Sequence, residues 1–452
     1  MFIRNIIRII RKMNKEEIIK ALNSWNFWNR DIDTGIKREA PISNAKKYLS
    51  AGKILAITGV RRSGKSYLTK QIAKDMGCEA RNILIVNFEE AGFDEELDEK
   101  FLLKIYESYK EYVRPTNKPL IILDEIQEVS RWEKFVRSLQ EKKEADIIVT
   151  GSSSKLMSEE LGTLLTGRAL NLEIFPLDYT EFLKFKGFSV ASRLEALDKL
   201  TEIKSLLAEY MEYGGFPEAV TNPDKDLKNR ILGQYLDDIL AKDIVKRYGI
   251  RRFDKLEKLA RYYMTNTASP ITYNSIANML KIPDKTVEAY SRYMETARIF
   301  FFIRRFSYSV KEQEKSPRKV YSIDTGLANA TGFRFTENKG RILENLVAVE
   351  LRRRNENLRK YEVYYWKDQN GKEVDFVLKE GQKIKKLIQA CYDPQDAKTT
   401  EREERSLLKA SEELKCEDLE IITWDHSKER SKEDPIRHIP LWKWLTPQIF
   451  ES

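Results

Sequence analysis

The residues best equipped for chemistry are Gly59-Val60-Arg61-Arg62-Ser63-Gly64-Lys65-Ser66, which fill each position of the phosphate-loop pattern GxxxxGKS/T. Two glycines let backbone N–H groups turn inward on the phosphates of a nucleotide, the Lys65 ammonium can reach the β and γ oxygens, and the Ser66 hydroxyl can ligate Mg2+. The whole loop, with Tyr67 after it, is the expected nucleotide-contacting set, and ATP with Mg2+ the expected ligand pair. An apolar run, Ile54-Leu55-Ala56-Ile57, precedes the loop and helix-forming sequence follows. That is the strand–loop–helix context the pattern requires.

A second element supplies carboxylates. Leu120-Ile121-Ile122-Leu123 reads as a central buried strand that delivers Asp124 and Glu125 to its carboxyl end, as a Walker B segment does. Asp124 is expected to hold Mg2+ through water, and Glu125 to orient and polarise the attacking water. Taken alone, the stretch also reads as a strand ending in a solvated acidic turn; the upstream phosphate loop argues for the catalytic reading.

These side chains need a scaffold, and the pattern around them supplies one. Short apolar strands at 54–58, 82–88, 120–124, 146–150 and 170–174 alternate with helices at 65–76, 96–112 and 132–142, as a parallel α/β sheet requires. A nucleotide would sit at the carboxyl ends of those strands. Before them, 14–50 is a helical lead-in opening on a capping box, Asn14 and Glu17. The aromatic cluster Trp25-Asn26-Phe27-Trp28 suits either packing onto the core or stacking on a base. The basic N-terminal segment 1–13 reads as a packed first helix, an extension upstream of Met13, or an amphipathic helix at a membrane surface.

Composition sets the frame. A chain of 452 residues with 41% hydrophobic content implies several domains, each with its own core. No run reaches the roughly 18 apolar residues of a membrane span, so stable membrane insertion is not expected. Lys and Arg exceed Asp and Glu by 80 to 71, giving a net charge of +9, which permits nucleic-acid binding without establishing it. Three dispersed cysteines, Cys78, Cys391 and Cys416, argue for a reducing, cytoplasmic setting, and two histidines exclude a His-rich metal site.

Five stretches in order, GVRRSGKS, LIILDEIQEVSRWE, VTGSSSKLM, LTGRALNLEIFPLDYTEFL and YGGFPEAV, resemble a large group of prokaryotic, mainly archaeal, AAA-type P-loop ATPases of unassigned role. The resemblance implies a parallel-sheet ATPase core over 51–185, a helical lid over 186–245, a winged helix-turn-helix over 246–335 and a restriction-endonuclease-like α/β domain over 336–452. It also implies a polar γ-phosphate sensor at the end of the fourth strand, for which Ser152 or Ser153 fits; a hydroxyl-rich helix cap fits equally. Arg168, at a turn before the fifth strand, is a candidate to stabilise γ-phosphate charge in cis or from a neighbouring subunit, with a surface salt bridge as the alternative. A homo-oligomer is compatible with that role.

For partners, the candidate recognition helix offers Lys285, Thr286, Glu288 and Arg292, and the wing offers Lys311, Lys315, Arg318 and Lys319 beside Arg304 and Arg305. DNA phosphates are one expected contact and a protein surface the other. In the last domain, Glu344 and Asp375 match metal-holding positions of the nuclease family. Gln389 and Cys391 stand where its ExK belongs, and neither supplies the missing ligand charge or the lysine. An inactive nuclease domain is therefore expected.

Overall fold

The computed structural model describes residues 13–89, 93, 97–151, 165, 167–190, 192–333, 338–358, 360–393 and 397–450; the N-terminal basic segment before Met13 and Ser152–Ser153 fall outside these residues. The chain divides into two compact units at Ile174/Phe175.

The first unit holds helices α1 (Lys15–Asn23), α2 (Glu39–Ser50), α3 (Lys65–Asp75), α4 (Glu99–Tyr112) and α5 (Trp132–Glu141) around strands β1 (Ile54–Gly59), β2 (Ile83–Asn87), β3 (Leu120–Asp124), β4 (Asp146–Gly151) and β5 (Ala169–Ile174). The strands are all parallel, in the order β2-β3-β4-β1-β5. Both faces are covered, so β1, β2 and β3 are buried at every residue and read as unbroken apolar runs rather than alternating ones. Ile54, Ala56, Ile121 and Leu123 pack with α1, α4 and α5, whereas Leu55, Ile57, Ile122 and Ile148 pack with α2 and α3.

The capping box at Asn14 and Glu17 is present. The aromatic cluster belongs to the core: Trp28 stacks on Tyr109 and donates its indole N–H to the Ile83 carbonyl at 2.8 Å. The buried Asn26 amide bonds both the N–H and the carbonyl of Ile85, covering the edge strand β2 with side-chain hydrogen bonds.

The second unit contains one eight-stranded sheet. Its strands are β6 (Ser269–Ile271), β7 (Phe300–Arg305), β8 (Arg318–Ser322), β9 (Glu362–Lys367), β10 (Glu373–Glu380), β11 (Lys383–Cys391), β12 (Leu419–Thr423) and β13 (Ile436–Pro440), ordered β13-β12-β11-β10-β9-β7-β8-β6. Helices Phe253–Thr265, Tyr273–Leu280 and Asp284–Thr296 and the antiparallel trio β6-β8-β7 follow one another in the order anticipated for a winged helix. The hairpin does not stand apart. It joins the C-terminal sheet through a parallel β7–β9 pair, Arg304 with Tyr364 and Arg305 with Tyr365. The C-terminal part runs helix Lys339–Leu358, antiparallel β9-β10-β11, helix Ala397–Leu414, then parallel β12 and β13. After β12 the chain adds β13 and then forms two short helices, Leu441–Leu445 and Pro447–Phe450.

Two shared stretches find a structural role in this unit. Gly214 has φ +72°, and a Cβ there would lie 1.9 Å from an Asp324 oxygen. Buried Asp324 accepts hydrogen bonds from the Gly215 and Leu327 N–H groups at 2.7 and 3.0 Å. Phe175–Phe185, expected to close the ATPase core, also packs here: Leu177 donates its N–H to the Gly215 carbonyl and accepts from the Tyr210 hydroxyl.

Candidate nucleotide site

The phosphate loop spans the turn from β1 to α3. Gly59 has φ +153°, and a Cβ on it would fall 2.1 Å from the Ile174 carbonyl oxygen, so this position admits no side chain without moving β5. Gly64 (φ +93°) and Arg62 (φ +69°) adopt positive φ, which curls the backbone before the helix starts. Arg38, buried ahead of α2, donates to the Ser63 carbonyl at 3.0 Å and steadies the curl from outside. Gln71 of α3 holds the same lead-in segment through the Thr34 and Ile36 carbonyls.

Lys65 is buried and its ammonium rests on the Gly59 and Val60 carbonyls, each at 3.2 Å. The Ser63 hydroxyl is buried and has no protein partner among the described residues. A glycine cradle, a buried ammonium and an unsatisfied buried hydroxyl in one loop fit a polyanionic ligand. Tyr67, by contrast, is half exposed, and Lys70 lies 5.5 Å from its ring. Arg61 turns sideways and pairs with Glu89 at the end of β2.

Asp124 and Glu125 lie beside the loop because β3 is separated from β1 only by β4. Asp124 is buried, and its carboxylate receives the hydroxyls of Thr150 and Ser66, with the Asn87 amide at 3.4 Å. Burial, followed by the neighbouring Glu125, pushes its carboxyl above the ordinary aspartate range, while the two hydroxyls and Lys65 oppose the rise. Thr150 is shared: its oxygen also accepts the Glu125 N–H at 3.1 Å. Glu125 has φ +55°, a left-handed conformation that costs a non-glycine residue about 1 kcal/mol or more. Its carboxylate accepts the Gln127 amide at 2.5 Å. Ser66 and Asp124 are thus in direct contact, and this pair of oxygens could hold a metal ion. Lys65, at the head of α3, is the cation that could meet a phosphate at this loop.

Thr150 and Asn87 were absent from the residues singled out by sequence. Each lies at the carboxyl end of a strand flanking β3, so its approach to Asp124 follows from strand order, which no local pattern reports. In the sequence Thr150 closes the IIVT run two residues before Ser152. Arg168 takes the other end of the sheet. It precedes β5 at the edge where β1 begins, its carbonyl accepts the Ile54 N–H, and its guanidinium pairs with Glu141 at 3.1 Å. With β1 and β5 parallel, this is the amino end, a strand length from the loop, so Arg168 does not face its own chain's phosphate site.

The candidate nucleic-acid contacts divide similarly. Lys285 and Arg292 are exposed on helix Asp284–Thr296, with Arg292 3.4 Å from Glu288. In the wing, Lys311 and Lys315 are exposed on a short helix, Val310–Lys315, but Arg304 and Arg318 both pair with Glu314. Lys319 is buried, which removes it from any phosphate-contacting role.

A parallel β2-β3-β4-β1-β5 sheet, a glycine-cradled lysine and an adjacent pair of strand-end carboxylates define an AAA-type P-loop ATPase domain. The family described as AAA domain matches residues 51–183, and two domains of unknown function, DUF8612 and DUF4143, match 204–337 and 339–444. Over 412 residues the chain is 39% identical to the uncharacterized protein MJ1544 of Methanocaldococcus jannaschii, covering 88% of this chain and 89% of that protein. An uncharacterized protein of Haemophilus influenzae is 30% identical over 91% of this chain and 98% of its own. The chain belongs to the family of AAA-domain ATPases that these proteins represent. Among solved structures, the Walker-type ATPase PABY2304 of Pyrococcus abyssi covers 67% of this chain and 99% of its own, with 14% identity and a TM-score of 0.43. No described helix is long and apolar enough to cross a membrane.

Proposed function

We propose that the protein is a Mg2+-dependent ATPase whose nucleotide cycle is coupled to a DNA or protein partner through the C-terminal unit. The observation that carries the catalytic half is the hydrogen-bonded chain Ser66–Asp124–Thr150–Glu125, which ties the phosphate loop to both carboxylates. In this reading the loop N–H groups and Lys65 hold the β and γ phosphates, and Ser66 and Asp124 hold the metal. When bound there, Mg2+ neutralises charge on the phosphoryl oxygens. Glu125 orients the attacking water and accepts its proton, and Thr150 keeps Asp124 and Glu125 in register. Arg168, paired with Glu141, meets the surface salt-bridge alternative, and any catalytic role for it would be in trans, at the phosphate site of a neighbouring copy.

The short Glu125–Gln127 contact supports a second reading, a slow nucleotide switch. A base committed to a neighbouring amide turns over slowly until a partner frees it. ATP hydrolysis by the purified protein, with and without Mg2+ and across a panel of nucleic acids, separates the two. Lys65→Ala is expected to abolish nucleotide binding, whereas Glu125→Gln should bind and not turn over. Hydrolysis surviving in Glu125→Gln would remove that residue from its role. Turnover stimulated by DNA supports coupling to nucleic acid, and turnover indifferent to it points to a protein partner.

A further inference from the structure

The resemblance of the C-terminal sheet to a nuclease implies Mg2+ between Glu344 and Asp375, and the residues present do not fit that ion. The cation position is already filled by a side chain from another part of the chain. Lys319, on β8 of the hairpin, places its ammonium 2.9 Å from Glu344 Oε1, 2.8 Å from Asp375 Oδ1 and 2.7 Å from Glu373 Oε1. Lys319 is 1% exposed, and Glu344 and Asp375 are buried with it. We propose that Lys319 is a resident counter-ion that replaces the divalent cation, converting the nuclease-like carboxylate cluster into an internal clasp between the hairpin and the C-terminal sheet.

The surroundings agree with a finished site rather than one awaiting a ligand. An ammonium has three N–H donors, and three carboxylate oxygens receive them. The other Glu344 contact is the buried Tyr321 hydroxyl, 2.8 Å from the same oxygen that Lys319 uses. Asp375 Oδ2 accepts the Ala390 N–H at 3.0 Å. Gln389, which stands where a metal-binding glutamate belongs, spends its amide on the Asp375 N–H and on Glu403 at 3.1 and 2.6 Å. Burial alone would discharge Lys319, but Asp375, Glu344 and Glu373 outweigh it and hold the ammonium well above its ordinary range. Glu373 keeps a part-exposed edge, but Lys319, Glu344 and Asp375 are buried, so an ion bridging Glu344 and Asp375 would have to evict a charged lysine.

Two measurements without nucleotide test this. In the first, Mn2+ binding to the wild type and to Asp375→Asn is compared by electron paramagnetic resonance. The expected result is identical binding; a Mn2+ site present in the wild type and lost in Asp375→Asn overturns the proposal. In the second, Lys319→Ala should melt lower than the wild type and regain roughly 5 °C with saturating Mn2+, a gain absent in the wild type and in Lys319→Ala/Asp375→Asn. A folded Lys319→Ala indifferent to divalent cations would also overturn it. Should that variant fail to fold, the first comparison decides alone, and DNA cleavage by the wild type that depends on Asp375 would refute the clasp outright.

Discussion

Thr150→Val tests the site at the point where its geometry is most specific. The substitution is nearly isosteric, the position is fully buried, and only the hydroxyl is removed. That hydroxyl donates to Asp124 and accepts from the Glu125 N–H, so its loss costs one charge-assisted hydrogen bond and strands one buried N–H. A hydrogen bond to a charged group contributes about 1.5–3 kcal/mol. If that contribution is expressed in the transition state, turnover falls about 10- to 150-fold at about 1.4 kcal/mol per decade. The Asp124 carboxyl, already raised by burial, loses one of the groups holding it down, so the acid limb of the activity profile should move to higher pH. The assay is single-turnover ATP hydrolysis across pH, with nucleotide affinity followed separately. Thr150→Ser, which restores the hydroxyl, should recover most of the rate. A Thr150→Val protein with wild-type turnover and an unmoved acid limb would refute the assignment.

Other substitutions probe the surroundings. Gly59→Ala drives a Cβ to 2.1 Å from the Ile174 carbonyl, so nucleotide affinity should collapse and stability fall by about 1–3 kcal/mol, readable by nucleotide titration and chemical denaturation. Asp324→Asn tests a titration. Burial raises the Asp324 carboxyl to about 6, so between the unfolded value of about 3.9 and that point the folded chain holds a proton the unfolded chain has released. Stability from this group is therefore lost as pH rises through that window, by about 3 kcal/mol, and is constant above it. Denaturation of wild type and variant should show their difference shrinking by that amount from about pH 4 to about pH 6; parallel curves would contradict it.

The legible parts of the molecule were those encoded locally. Gly59–Ser66 and Asp124-Glu125 are contiguous, and the apolar runs of β1, β3 and β4 have one reading when a parallel sheet is buried on both faces. Asn87 and Thr150 were hidden because their importance depends on which strands flank β3. Lys319 was hidden by its company. It looked like part of a basic wing, yet in the β8 run Arg318-Lys319-Val320-Tyr321 it shares a face with buried Tyr321, and the two-residue period carried that signal. The closing strand β13 is five residues between apolar neighbours, too short to separate from the helical pattern that follows.

The parallel β7–β9 pairing also bears on how the second unit can be divided. The polar stretch around residue 338, between the hairpin and helix Lys339–Leu358, resembles a linker by composition. A chain cut there would leave β7 with a bare edge on one fragment and β9 with a bare edge on the other, each a row of unpaired N–H and C=O groups inviting association. The carboxylates on the second fragment would also lose their ammonium. Two family matches meet at this point, yet both strand edges and the Lys319 cluster lie within the one compact unit that starts at Phe175.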